Sequence, residues 1–302
     1  MILTKWNFPK LNYESAGLRE YLWCNMTYYI GALDADGFRC DVGDAVPLDF
    51  WLEGKRRIKA IKPDAVLLNE GSDWTYLEEC FDASYAFKWH EAIFKAMAKH
   101  EGADLIRETH KNMSAKIPAG SILMRDIDNH DTVTDWPMRV EVAVGHDGME
   151  LIEALNYTID GVPMVYCGNE LGDTARLSMF ANRFYMGDFE VTDRSKKQEE
   201  YSVRRQTVIK ALNSLRSKYD ALCFGNTEWK DTDDNERILC FERCYGNEKI
   251  IFIGNASSEP TQTEFSAKEY DVLVQSLTAP TITDKKIFLE PYGYAILQRR
   301  DK

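Results

Sequence analysis

An α/β fold built on a parallel sheet, with a small antiparallel β-sandwich after it, is what this sequence predicts, and three observations carry that reading. Across residues 1–221, continuous apolar stretches recur between helical patterns, as expected of strands covered on both faces. Several of these stretches end in a carboxylate, as in "DGFRCD" (36–41) and "DAVLLNE" (64–70). Beyond residue 222 the helical period gives way to short alternating segments separated by polar turns, which suits two packed antiparallel sheets.

The elements follow in order. Residues 18–33, "LREYLWCNMTYYIGAL", space their apolar residues as an amphipathic helix does. Strands are predicted at 36–41, at 64–70, at 81–87 ("FDASYAF"), at 121–126 ("SILMRD", leading into Asn129-His130-Asp131) and at 162–170 ("VPMVYCGNE"). Helices are predicted over 88–100 and 148–159, and 196–222 reads as a long helix with a charged, solvated face. In 222–302 the strands are "RILCFERC", "KIIFIGNAS", "YDVLVQSL", "KIFLEP" and "GYAILQRR", and the acidic run 231–236 between them reads as a turn. The expected domains are therefore 1–221 and 222–302.

Composition narrows the function. The 37 Lys and Arg face 49 Asp and Glu, a net charge of -12, which argues against nucleic-acid binding and against an anionic membrane surface. A neutral substrate is the easier partner. Seven cysteines, an odd number without C-x-x-C spacing, read as reduced thiols rather than a disulfide framework. With no long apolar run and no signal-like start, a cytoplasmic location is expected.

Asp41, Glu70 and Asp131 each follow a predicted parallel strand, and in an α/β barrel the reacting groups sit at that end. Convergent carboxylates repel, so at least one is pushed toward its protonated form unless cations or hydrogen bonds compensate. Retaining glycoside hydrolysis needs that pairing: one carboxylate attacks the anomeric carbon and one carboxylic acid protonates the leaving oxygen. Arg39, two residues before Asp41 and so on the same side of the strand, is placed to keep Asp41 ionised. Glu70, after Val66-Leu67-Leu68, is the candidate acid/base.

These segments resemble the α-amylase family of glycoside hydrolases. "DGFRCD" is similar to its nucleophile segment, "LLNE" to its acid/base segment and "DIDNHD" to the segment ending in its third catalytic aspartate. "GVPMVYCGNE" resembles its last barrel strand, "FPKLNYESAGLREYL" (8–22) the approach to its third barrel helix, and "FLEPYGYAILQRR" its closing β-domain strand. The likeness runs through nearly the whole chain. It implies Asp41 as nucleophile, Glu70 as general acid/base, Asp131 as the group orienting sugar hydroxyls, and Arg39 and His130 as substrate-contacting or charge-tuning neighbours. Asp44 matches a position contacting the sugar beyond the cleavage point.

The family's earlier Asp and Asn-His segment, and the insertion after its third strand, are not found here. The five strands correspond to the fourth through eighth, so the expected fold is a partial (β/α)8 TIM barrel followed by the β-domain. The implied substrate is an α-glucan or maltooligosaccharide. No organic cofactor is implied, and calcium, known in the family, lacks its ligand segment in this sequence. An arc of five strands leaves two open edges, where oligomerisation is expected, and the isolated chain is expected to hydrolyse maltooligosaccharides poorly or not at all.

Plainer explanations stand beside these. Asp41 or Asp131 alone is a suitable helix cap, and Glu70 a suitable ion-pair partner. His130-Asp131 also reads as a metal pair, although no other histidine falls at ligand spacing from it. Trp74, Tyr76 and Trp136 follow the candidate segments as surfaces for stacking on sugar, a role that competes with ordinary core packing. Two other functions fit less well: a non-catalytic glucan-binding remnant, and a Mg2+-dependent barrel lyase or isomerase, which needs a strand-end lysine that none of the five strands supplies.

Overall fold

The computed structural model describes residues 9–135, 139–175 and 196–300. The chain divides into two compact units, Met1–Tyr85 with Lys116–Leu123, and Ala86–Ala115 with Met124–Lys302.

In the first unit, helix α1 (Ala16–Gly31) starts at Ser15, whose hydroxyl accepts the Leu18 N–H. Strand β1 (Gly37–Cys40) leads through one 3-10 turn (Gly43–Ala45) into α2 (Leu48–Ile61). Strand β2 (Val66–Asn69) leads into α3 (Trp74–Glu79), which Asp73 caps through the Thr75 N–H, and β3 (Ala83–Tyr85) follows. β1 and β2 pair in parallel with Arg39 opposite Leu68, and β2 pairs in parallel with β3. The two long helices are joined by aromatic packing: Trp23 stacks on Phe50 at 5.4 Å and donates its indole N–H to the Phe50 carbonyl. On the far face of α1 the tyrosines Tyr21, Tyr28 and Tyr29 are exposed.

In the second unit, α4 (Phe87–Ile93) runs into a π-helical turn at Phe94–Ala98 and is followed by α5 (Ala103–Ser114). Strand β4 (Ile122–Arg125), through which the division between the units passes, is followed by α6 (Thr132–Asp135) and α7 (Val140–Thr158). Gly145, at φ 73°, breaks α7 after its first turn, a backbone geometry open to glycine at little cost. The rest of α7 is buried along almost its whole length. β5 (Val162–Pro163) pairs in parallel with β4, Met124 opposite Val162. Helices α8 (Lys196–Lys218) and α9 (Asp220–Phe224) complete the helical part.

The all-β region follows. A five-stranded antiparallel sheet has the order β10-β13-β8-β7-β6, made of β6 (Asn226–Trp229), β7 (Ile238–Tyr245), β8 (Glu248–Asn255), β10 (Tyr270–Gln275) and β13 (Tyr294–Arg299). A three-stranded sheet has the order β11-β12-β9, made of β9 (Thr261–Glu264), β11 (Thr281–Ile282) and β12 (Lys286–Leu289). Ile238, Cys240, Ile251, Ile253, Ile287, Leu289, Ala295 and Leu297 form the core of this region.

All five predicted parallel strands are present, shorter than their apolar stretches. Among the described residues four helices arise outside the predicted segments, α2, α3, α5 and α6, and the 88–100 segment splits into α4 and the π turn. No helix among the described residues is long and apolar enough to cross a membrane.

Candidate active site

The two chain units each hold part of the predicted set. The first brings together Arg39, Asp41, Asp44 and Glu70; the second holds His130 and Asp131.

In the first unit, parallel pairing sets Cys40 beside Asn69, so the residues that follow, Asp41 and Glu70, leave the sheet side by side. One guanidinium serves both. Arg39 Nη1 contacts Asp41 Oδ1 at 2.5 Å, and its Nη2 is ion-paired with Glu70. Burial by itself would lower the Arg39 pKa, but bonds to Tyr85 and Asp41 and the charge of Glu70 outweigh it and hold the group above its ordinary value. The Asp41 side chain is 77% exposed and that of Glu70 only 13%. Glu70 does not lie in an apolar setting, as its place after Val66-Leu67-Leu68 predicts: it faces Arg39 and accepts the Val42 N–H at 2.8 Å. Val42 itself sits at φ 43°, a left-handed backbone that a β-branched residue adopts only under constraint, and such strain clusters at functional sites.

Asp44 turns inward. One carboxylate oxygen accepts from Asn69 Nδ2 at 2.7 Å, and the other accepts the Ser72 and Asp73 N–H groups at 2.7 and 2.9 Å. Where the resemblance gives it a sugar, the structure gives it the 69–73 turn behind Glu70. Tyr76 donates its hydroxyl to the Val46 carbonyl at 2.9 Å, fixing the same loops. Trp74 opens α3, half-buried. Trp136 lies outside the described residues.

In the second unit, β4 delivers Asp126, Asp128 and Asn129, all buried, and then the half-buried His130 and the exposed Asp131, whose side chains approach to 3.5 Å. Asn129 organises the turn: its Oδ1 accepts the Asp131 and Thr132 N–H groups, and its Nδ2 donates to Asp126. Asp126 also meets His90 on α4 at 3.3 Å. Beside Asp131 opens a cavity of about 600 Å3, walled by Phe87, His90, Phe94 of the π turn, Asn129 and Thr132. π turns often occur at functional sites.

Beneath this turn lies a buried charge network. Asp128 pairs with Arg139, which donates to Asn169 Oδ1, and Arg205 pairs with Glu141 and donates to the Asn169 carbonyl. Burial pushes the Glu153 carboxyl up to about 7, against the opposing influence of Arg205. Sequence reasoning assigned no role to Val42, Asn69, His90 or this network, and named Asn129 only as part of the turn after the strand. A run of Asp, Asn and His after a strand was the one available signal, and it pointed to Asn129.

Comparison with known proteins adds to this picture. Residues 2–239 match the family described as alpha amylase, catalytic domain, and residues 232–296 match the maltogenic amylase C-terminal domain. A cyclomaltodextrinase of Geobacillus thermopakistaniensis (strain MAS1) is 26% identical, over 95% of this chain and 49% of that protein. A maltogenic alpha-amylase of Bacillus acidopullulyticus is 30% identical, over 90% of this chain and 46% of that protein. The chain thus spans about half the length of the curated relatives it matches. The alpha-amylase of Geobacillus thermoleovorans, solved with acarbose, superposes with a TM-score of 0.78 at 19% identity, covering 98% of this chain and 67% of that one. A maltogenic alpha-amylase of Thermotoga neapolitana gives 0.76 at 21% identity, covering 98% and 69%. These likenesses show the fold: part of a (β/α)8 barrel with a C-terminal β-domain.

Proposed function

This chain belongs to the alpha-amylase family, and from that premise we propose that it carries the catalytic carboxylates of a retaining α-glucan hydrolase acting on maltooligosaccharides. Asp41 attacks the anomeric carbon while Glu70 gives its proton to the departing glycosidic oxygen. Glu70 then takes a proton from water, whose oxygen displaces Asp41 from the sugar and restores both groups. Asp131 holds sugar hydroxyls as charge develops at the anomeric carbon. The observation that carries this reading is the Arg39 fork, which ties the exposed Asp41 and the sheltered Glu70 to one cation. We take the protein to act inside the cell, a reading supported by a Bacillus subtilis (strain 168) relative named intracellular maltogenic amylase.

A 5-fluoro-α-maltosyl fluoride tests the assignment, because fluoride leaves without a proton donor and the ring fluorine slows release of the sugar. Intact mass should rise by one fluoromaltosyl group, peptide mapping should put it on Asp41, and Asp41→Asn should abolish it. No adduct, or an adduct on another carboxylate, would overturn the assignment.

A further inference from the structure

The β-region holds a second cavity. Along β7, Ile238, Cys240 and Glu242 alternate onto the inner face. The first two belong to the apolar core, and the third is a carboxylate only 6% exposed. Ile251 stands opposite Glu242 on β8. At this point the core stops filling the space between the sheets, and a cavity of about 550 Å3 opens, within the range of roughly 300–1,000 Å3 found for small-molecule sites.

Its floor is apolar, Cys240, Ile251 and Ile253, and its rim is polar and acidic, with Asp231, Glu242, Glu264 and Glu269 against Lys230 and Arg299. Lys230 reaches Glu242 at 3.4 Å, and Arg299 pairs with Glu269 at 2.9 Å. Phe265 and Tyr270 add two half-buried rings, 5.6 Å apart and tilted by 34°. Four carboxylates against two cations disfavour an anion, and the ion pairs of Glu242 with Lys230, Glu269 with Arg299 and Asp231 with Arg107 weaken the pull on a cation. A neutral ring bearing hydroxyls satisfies both signs, since each hydroxyl donates and accepts. Its C–H face suits the aromatic wall and the apolar floor.

We propose that this cleft is a non-catalytic binding site for a sugar unit of an α-glucan chain, gripped by Glu242 and Lys230 and packed on Tyr270. That the sugar is an α-glucan rests on the function proposed above. A purely structural Lys230–Glu242 pair would need neither the open space nor the aromatic wall.

Maltotriose titrated into the whole chain with labelled methyl groups tests this by NMR. Ile251 and Ile253 report on the cleft; Val42 and Leu68 report on the Asp41 region. Saturable shifts are expected at Ile251 and Ile253, weakened at least tenfold by Glu242→Gln, as for a lost charge-assisted hydrogen bond. Tyr270→Ala, a second variant should the first misfold, is expected to weaken them as well while leaving any Val42 and Leu68 shifts in place. Shifts confined to Val42 and Leu68 would overturn the cleft and leave the catalytic reading standing. Shifts confined to the cleft would support it, and the fluoride label on Asp41 would judge the catalytic reading separately. No shift at Ile251 and Ile253, or equal shifts with cellotriose, would overturn the α-glucan site.

Discussion

Replacing Glu153 by Gln should make the protein's stability less dependent on pH. Glu153 is 2% exposed on α7, and burial lifts its carboxyl from 4.5 to about 7. It faces Arg205, Glu141, Asp128 and Asn169. Three carboxylates, Asp128, Glu141 and Glu153, thus share two arginines, Arg139 and Arg205, with His146 touching Glu141 at 2.5 Å. A carboxyl raised on folding binds its proton more tightly in the folded chain. The stability it contributes is full below about 4.5 and is lost as pH rises through about 7. At about 1.4 kcal/mol per pKa unit, that span corresponds to about 3 kcal/mol. Gln keeps the shape of the protonated acid and does not titrate. Urea unfolding followed by circular dichroism at about pH 5 and about pH 8.5 should show Glu153→Gln gaining up to about 3 kcal/mol on the wild type between the two. A difference between the proteins that stays the same at both pH values would refute the reasoning.

Further predictions concern the loops and the β4 region. Asp44→Ala strips one acceptor from Asn69, Ser72 and Asp73 and should cost about 2–3 kcal/mol in urea unfolding, as for hydrogen bonds to a charged group. Gly71→Ala places a Cβ 2.1 Å from Asp44 Oδ1 and should cost about 1–3 kcal/mol alone, but much less in the Asp44→Ala background, where the clashing atom is gone. Asp160 is half-buried, and its partial desolvation would raise its pKa, but Arg125 and His110 outweigh that and hold it well below 3.8. Its contribution is present above about 3.8 and lost as pH falls below, so Asp160→Asn should flatten the acid limb of a pH-unfolding curve.

What was legible in the sequence follows from how strongly single residues constrain local structure. The parallel strands showed because burial on both faces demands unbroken apolar runs; Asp41 and Glu70 stood out because each closes such a run, and Asp131 because it ends the turn after one. Helix α5 was hidden because Arg107 and His110 lie on its buried face. Distant partners hold both there: Arg107 reaches Asp231 and Asn235, while His110 contacts Asp160 and accepts the Trp229 indole N–H. No periodicity argument sees such partners in advance. Asp44 is the same case at the site. Its sequence position suits a sugar ligand, but the 69–73 turn, which meets it across 25 or more residues, takes up its oxygens.

Arg39 shows how far a period-two argument reaches and where it stops. Spacing alone puts Arg39 on the side of Asp41, and the ion pair between them follows. Spacing says nothing of Glu70, which arrives through the pairing of β1 with β2. The two hydrogen-bonding partners of Glu70 among the described residues, the Arg39 guanidinium and the Val42 N–H, are donors. A proton on Glu70 would therefore find no acceptor in either. For the proposed acid role, the carboxyl has to turn from Arg39 toward the leaving oxygen, and the guanidinium then keeps Asp41 and Tyr85 as partners. Arginine suits that exchange better than lysine, because a planar fork grips two acceptors and can release one while its geometry on the other is unchanged. The strained Val42 sits where the same exchange needs a backbone donor that points at Glu70, so the local cost at φ 43° is tied to the group that has to move.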